Sequence, residues 1–473
     1  MRHLRLAVVL SVVLAGVACS SGGGQSASSS APPPAGPPPA QPRPAPTPGQ
    51  KAPTQVEFRN VRIFDGHSDK LSAPSNVLVT GNRVQKISTE ALPAGPDTTV
   101  IEGGGRTLMP GLIDNHWHTM LVRPPVTQLT TADPGYLNLL AGAEANDTLM
   151  RGFTTVRDLG GPSFGLKRAI DEGVVNGPRI FPSGAIITVT SGHGDFRTPA
   201  DLPRTAGGPV SRQEELGASV VADSPDEVRM RTREQLFQGA SQIKLTAGGG
   251  VSSPHSPIDV ITFTEPEVRA AVEAATNWGT YVTVHAYTPA TITQAIRAGV
   301  TCIEHAHLMD DATAKEMADK GVWLSTQPLP EEMIRAFPPG SEEAAKAKEV
   351  IDGVVNVYQL ARKYHLKTAF GTDILFSPQL APQQGALLAK LGTWFSPAEV
   401  LTMATGTNAE LLAMSGKRSP YSGKLGVVEP GALADLLLVD GDPLSNLQLV
   451  ADPGRNFKVI MKDGKVYKNS LVS

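Results

Sequence analysis

The chain has 473 residues, 18% of them charged and 40% hydrophobic, with a formal net charge of −3. This composition supports a large buried core and excludes disorder along the whole length, and the near-balanced charge gives no field for capturing nucleic acid or an anionic membrane. Two cysteines, Cys19 and Cys302, exclude a disulfide framework and a Cys-rich zinc module, so any metal must be held by His, Asp, Glu or a modified Lys.

Arg2 and Arg5 precede one apolar run, residues 6–18, which is short for a bilayer span and fits a secretory signal. The segment Leu14-Ala-Gly-Val-Ala-Cys19 resembles a lipobox, although Gly16 stands where that pattern usually has Leu. The expectation is an exported chain with a signal at residues 1–19. Lipidation of Cys19 would tether it in the periplasm or at the outer membrane, and plain secretion with cleavage near Ala18 is the other reading. Residues 20–54 read as a linker: eleven of the chain's 40 prolines fall between Pro32 and Pro53, a composition that favours extended polyproline II over a core.

From residue 55 to 109, short β-rich runs alternate with turn signals such as Asp65-Gly66 and Gly81-Asn82, and the same texture returns after residue 425. Residues 55–110 and 421–473 therefore read as one small β-sandwich built from both ends of the globular part. Between them, strand-like runs at 111–114, 154–158, 179–187, 242–245, 281–284, 301–304, 322–326 and 368–371 alternate with helical patterns. The clearest of these are at 136–151, 225–239, 265–278, 289–298, 312–320, 342–365 and 397–405. Eight such repeats predict an α/β fold, a (β/α)8 TIM-like barrel over residues 111–420. A doubly wound sheet is the rival, without a Gly-x-Gly-x-x-Gly turn after its first strand.

Barrel active sites lie at the carboxyl ends of the strands. There the sequence places His116 and His118 after strand one, Lys244 on strand four, His285 on strand five, His305 on strand six and Asp373 after strand eight. No packing requirement asks for metal-competent side chains at five strand ends. The expected site is dinuclear: His116, His118 and Asp373 on one divalent ion, His285 and His305 on the other. Zinc is the expected metal, with Mn²⁺ or Co²⁺ compatible with the mixed N/O set. A lysine can bridge two cations only as a CO₂-derived carbamate. A bridging water would be acidified to hydroxide, with Asp373 taking its proton as general base and returning it to the leaving nitrogen as general acid.

The stretch Met109-Pro-Gly-Leu-Ile-Asp-Asn-His116-Trp-His118, followed in order by Lys244, His285, His305 and Gly371-Thr-Asp373, resembles the amidohydrolase superfamily. More narrowly it is similar to the imidazolonepropionase-like branch that keeps the bridging lysine, and the similarity runs from about residue 55 to 471. The resemblance implies a metal-dependent hydrolase with a carboxylated Lys244. Relatives in that branch include dipeptidases acting on Xaa-Pro or Xaa-Arg/Lys bonds, N-acyl amino acid hydrolases and amidases that degrade ochratoxin. The resemblance also suggests a homo-oligomer. His193, in Ser191-Gly-His-Gly-Asp195, is similar to a loop histidine that contacts the scissile group or the substrate carboxylate.

Tyr287 and His307 each lie two residues beyond an expected ligand and so face the same cavity if the chain stays extended. Tyr287 reads as an oxyanion donor or as packing at the barrel rim, and His307 as an orienting residue. Gly248 to Gly250 with Ser252, Ser253 and His255 read as a loop, with backbone donors for a carboxylate as the other reading. Arg157-Asp158 reads as a structural ion pair and Cys302 as small core filler. Segments 196–224 and 328–343 read as specificity loops. The expected activity is hydrolysis of an amide bond in a small peptide-like or N-acyl amino acid substrate. A cyclic-amide hydrolase on the same metals and a non-catalytic surface lipoprotein are the alternatives.

Overall fold

Valine, isoleucine and threonine suit the pleated surface of a strand, and runs of them bounded by Gly, Asn and Asp turns open and close the ordered chain. The structure, a computed structural model, describes residues 54–471 apart from 94, 203–206 and 254. The expected signal, most of the linker and Cys19 lie outside the described residues. The described residues form one compact unit, and among them no helix is long and apolar enough to cross a membrane.

Five strands come first: β1 (Gln55–Ile63), β2 (Ser75–Thr80), β3 (Arg83–Ser88), β4 (Thr98–Glu102) and β5 (Thr107–Pro110). Ten short ones follow: β6 (Leu112–Trp117), β7 (Phe153–Asp158), β8 (Arg179–Pro182), β9 (Ile186–Thr188), β10 (Ser219–Val221), β11 (Ile243–Thr246), β12 (Val282–Ala286), β13 (Cys302–His305), β14 (Trp323–Thr326) and β15 (Thr368–Phe370). The last three are β16 (Leu436–Val439), β17 (Phe457–Lys462) and β18 (Lys465–Asn469). Strands from both ends join one eight-stranded sheet, ordered β18-β17-β16-β5-β1-β2-β3 with β4 alongside β1. Its contact with the rest includes Arg179, which forks onto Asp435 (2.8 Å) and reaches Asp463 (2.6 Å).

The middle strands form two parallel sheets, β10-β9-β11-β12-β13-β14-β15 and β6-β7-β8. Hydrogen bonds link them on both sides. Asp373 N, just beyond β15, donates to His116 O on β6 (2.8 Å), and Ser241 N, just before β11, donates to Pro182 O on β8 (2.7 Å). The two parallel sheets and the helices between them make an α/β fold.

Local signals explain the helices. Ser224 caps the helix Pro225–Gln238, which ends at Gly239 in the left-handed region, and capping boxes at Thr264/Glu267 and Ser396/Glu399 start two others. Three expectations are corrected. The single strand 179–187 is two, β8 and β9, with Ser183–Gly184–Ala185 between them. Segment 196–224 is not plain loop, since it holds the helical turn Arg212–Glu215 and β10. The helix expected over 342–365 is two helices, Glu342–Asp352 and Val354–Lys363, broken at Gly353, where a Cβ would lie 2.2 Å from His307 O.

Candidate active site

Because β6 continues as far as Trp117, His116 and His118 sit two positions apart at its carboxyl end, with ring centroids 5.3 Å apart. Asp373 reaches both: its Oδ1 lies 3.1 Å from His116 Nε2 and 3.0 Å from His118 Nε2. Gly371 permits this approach, since a Cβ there would lie 2.5 Å from His116 Cβ. Lys244 Nζ, from β11, is 3.4 Å from His116 Nε2. His305, from β13, lies tilted 4.9 Å from His116 and edge-on 4.3 Å from His285, centroid to centroid, and its Nδ1 is 3.9 Å from Asp373 Oδ2. Donor atoms of His116, His305 and Asp373 all lie within 4.8 Å of one another. All six side chains singled out as ligands meet in one cluster.

Asp373, His305 and Ala306 carry positive φ (54°, 74° and 56°), a conformation disfavoured for residues with a Cβ. The backbone turns sharply where the side chains must converge.

Hydrogen bonds orient the imidazoles. His285 Nε2 donates to Gly249 O (2.8 Å) and His305 Nδ1 to Gln327 Oε1 (2.8 Å), so His285 Nδ1 and His305 Nε2 are left as lone-pair donors. His118 Nδ1 lies 3.4 Å from Gly160 O. His116 Nδ1 faces Glu304 Oε2 at 2.8 Å, with Gln327 Nε2 at 3.2 Å. Behind Glu304, Arg157 Nη2 donates to its Oε1 (2.6 Å). Asp114 receives the backbone N–H of His116 (3.0 Å) and the hydroxyl of Thr372 (2.7 Å), so it braces the two strand ends against each other.

Burial, with neighbouring His and Lys244 charges, drives His285 and His305 far below the usual imidazole range, and burial brings His307 down to about 4. These rings are neutral at working pH, the state in which imidazole donates to a metal. Burial likewise lowers the Lys244 amine, against the pull of Glu304 and Asp373. Burial works against a charge on Asp373 too, but His116 and His118 overcome it and hold the carboxyl well below its ordinary value. Burial works against a charge on His116, but Asp373 and Glu304 outweigh it and raise that ring, which gives up its proton when it holds a metal. With the neutral His285 and His305, whose second nitrogens are engaged, the Asp373 carboxylate and an amine of depressed basicity, the donor set fits divalent ions.

The substrate-facing candidates lie on the rim of this cluster. The His193 ring lies tilted 4.4 Å from His285, its Nδ1 is 3.0 Å from Ser253 Oγ, and burial followed by Lys244 lowers it to about 3. Tyr287 packs edge-on to His285 at 4.6 Å and lies 5.2 Å from His305, and burial pushes its phenol upward. His307 Nε2 donates to Gln327 O (3.0 Å). His255 is exposed and supplies only its carbonyl, to Ser191 Oγ (2.7 Å). The loop of Gly248 to Gly250 is pinned onto the site through Gly249 O and through Lys346, which donates to Ser253 O (3.0 Å).

Arg157 does not pair with Asp158, because neighbours along a strand point to opposite faces. Asp158 instead accepts Thr119 N (2.8 Å), while Arg157 crosses the interior to Glu304. Cys302 is core filler as expected, buried among Tyr281, Trp323, Ala369 and Leu411, with its Sγ 3.7 Å from Arg157 Nη1. Glu304 and Gln327 escaped sequence reasoning. Glu304 stood beside His305 in the motif and was visible there, whereas no local signal marks Gln327.

The model of the amidohydrolase family matches residues 107–467. The chain belongs to the amidohydrolase family. It is 29% identical to the ochratoxinase of Aspergillus niger over 377 residues, 76% of this chain and 75% of the relative. A crystal structure of an amidohydrolase shares 35% identity at a TM-score of 0.81, covering 88% of this chain and all of the other. A prolidase solved with N-methylphosphonate-L-proline shares 32% at a TM-score of 0.80, with the same coverage. This amidohydrolase is a hydrolase of carbon–nitrogen bonds, in the branch that holds ochratoxinase and the prolidase-like dipeptidases.

Proposed function

We propose that this amidohydrolase cleaves the amide bond of an N-acyl amino acid or dipeptide-like substrate at a site for two divalent ions, zinc in the first instance. The observation that carries this is the meeting of His116, His118, Lys244, His285, His305 and Asp373 from five strand ends, with Lys244 Nζ 3.4 Å from His116 Nε2. The relatives named above, one acting on ochratoxin and one solved with a proline phosphonate, support an amide bond next to a carboxylate. In this reading the two parallel sheets close as one (β/α)8 barrel, with β8 and β9 together as its third strand. Export, a Cys19 lipid anchor and self-association belong to the same proposal.

His116, His118 and Asp373 would hold one ion and His285 and His305 the other, with a carbamate formed by CO₂ on the Lys244 amine, whose basicity burial lowers, as the anion that offsets their repulsion. When bound, the ions would polarise the scissile carbonyl and acidify a water. The protein's own groups do the rest. The Asp373 side chain, 19% exposed, is the carboxylate open to the site mouth, and it accepts the proton of the attacking water and passes it to the departing nitrogen. Tyr287 keeps its proton and serves as a donor to the developing oxyanion. Ser253 Oγ accepts from Gly194 N (2.8 Å) and can donate to His193 Nδ1, which leaves the His193 Nε2 proton for a substrate oxygen.

The deciding experiment incubates zinc-loaded protein with dipeptides, N-acyl amino acids and cyclic amides. Turnover of acyclic amides that carry a free carboxylate is expected. Activity confined to cyclic amides, or none on any member, overturns the proposal.

A further inference from the structure

Directly beneath the proposed metal cluster lies a buried ion pair for which neither the fold nor the reaction has accounted. Arg157 on β7 and Glu304 on β13 are both 0% exposed, and their partners lie at the heart of the parallel sheets. The guanidinium uses its whole fork: Nε donates to Asn115 O (2.6 Å), Nη1 to Tyr281 Oη (3.0 Å), and Nη2 to Glu304 Oε1 (2.6 Å) and Ser325 Oγ (3.1 Å). Those contacts fall on residues on or beside four other strands. Thr283 Oγ1 donates to the same Glu304 oxygen.

Stability does not call for such a pair. Desolvating two full charges costs several kcal/mol per ion, and well-packed apolar side chains of the same volume are often as stable or more so. What the pair achieves is geometric. With Oε1 held by Arg157 and Thr283, the second oxygen, Oε2, is directed to His116 Nδ1 at 2.8 Å. Gln327 Nε2, a donor only, approaches the same nitrogen at 3.2 Å, but the closer and anionic Glu304 oxygen favours a proton on Nδ1, which turns the Nε2 lone pair toward Asp373 and Lys244 and raises the ring's strength as a donor. His116 is the imidazole in contact with both of those groups.

We infer that Glu304, held in place by Arg157, is the positioning residue that sets the tautomer and direction of His116 and thereby the affinity of the site for its metal. This rests on the proposed metal-holding role of His116. Asn115, in the same strand as His116, contributes its carbonyl to the Arg157 fork, so strand and ring are set by one network. The order of parts runs from β14 and β12 through Arg157 to Glu304, then to the ligand.

The test measures zinc binding by competition with a chromophoric chelator, on protein stripped and reloaded with the metal alone. Two variants are compared with wild type. Glu304→Gln keeps the shape and removes the charge. The double variant Glu304→Leu/Arg157→Met removes both charges and leaves neither stranded. Both are expected to bind zinc about 10–100-fold more weakly, and the double variant to keep a cooperative melting transition without metal. A third readout needs no folding comparison: in zinc-loaded wild type, a downfield Nδ1 proton resonance assigned to His116 is expected, and it is lost in Glu304→Gln. Zinc affinity in Glu304→Gln within twofold of wild type, or no such resonance in the loaded wild type, overturns the inference. Failure of the wild type to bind zinc at all overturns instead the metal-site reading on which it stands.

Discussion

Asp373 and His116, 257 positions apart in the chain, are joined twice: the Asp373 backbone N–H donates to the His116 carbonyl at 2.8 Å, and its carboxylate lies 3.1 Å from His116 Nε2. The strand end that begins the site and the one that completes it are thus a single hydrogen-bonded unit. Whatever holds β6 against β15 also holds the site geometry.

Asn408 does much of that holding. Its amide donates to Ile113 O (2.7 Å) and Phe370 O (2.8 Å) and accepts from Phe370 N (3.0 Å), all buried. Asn408→Ala strands three backbone groups, each at a cost of about 1–3 kcal/mol. Urea unfolding is expected to show a loss of about 3 kcal/mol or more. A loss below about 1 kcal/mol would show that the seam does not depend on this clamp.

Gln327 serves three rings: its Oε1 takes His305 Nδ1 at 2.8 Å, its Nε2 lies 3.2 Å from His116 Nδ1, and its carbonyl takes His307 Nε2 at 3.0 Å. Gln327→Ala frees His305 to rotate and removes the amide beside His116, but leaves the backbone contact to His307. Metal affinity and kcat/KM are expected to fall together by about 10–100-fold. An unchanged affinity with a lowered kcat would assign the glutamine to substrate rather than to the metal.

Lys244→Ala is expected to bind fewer than two ions and to lose nearly all activity, because no anion then offsets their repulsion. A short carboxylic acid at millimolar concentration should restore part of both. Native mass spectrometry checks the origin: wild type should carry one extra CO₂, lost in acid. Two ions held tightly by the alanine variant would contradict the carbamate bridge.

A Cβ at Gly250 would lie 2.1 Å from His193 Nδ1. Gly250→Ala must therefore displace the His193 ring while leaving the six proposed ligands in place. The expectation is a loss of about tenfold or more in kcat/KM at unchanged metal content, read by elemental analysis beside the kinetics. A proportionate loss of metal would place His193 among the ligands.

Lys462 offers a test of stability against pH, away from the site. Burial first, then the charge of Arg179, push its amine down to about 8, against Asp435, and Nζ donates to Gly177 O (2.9 Å). An unfolded lysine titrates near 10.4, so between pH 8 and about 10.4 the unfolded chain binds more protons and stability contributed by this group rises with pH. Below pH 8 the full penalty applies, on the order of 3 kcal/mol. Lys462→Met should therefore gain on wild type at pH 7 and lose that advantage by pH 10.5. Denaturant titrations of both proteins at the two pH values measure it, and a pH-independent difference would refute it.

The residues with distinctive chemistry were legible one by one. His116-Trp-His118 declared itself because alternation puts both rings on one side of a strand, and Lys244, His285, His305 and Asp373 because each follows a short apolar run. The α/β alternation was legible for the same reason, as periodicity is a local property. Interruptions were not. The split at residues 183–185 and the helix break at Gly353 come from what packs against them, the latter from the His307 carbonyl.

Side-chain class and spacing along the chain therefore determined which atoms could serve as ligands and on which strand ends they stand. Tertiary structure alone decided how those atoms are aimed: Arg157 turned from its neighbour Asp158 to Glu304, 147 positions away, and Gln327 and Asn408 became fixtures of the site. The reason is physical. The direction of a buried polar group is set by whichever partner satisfies it, and that partner is supplied by distant strands that become neighbours only on folding.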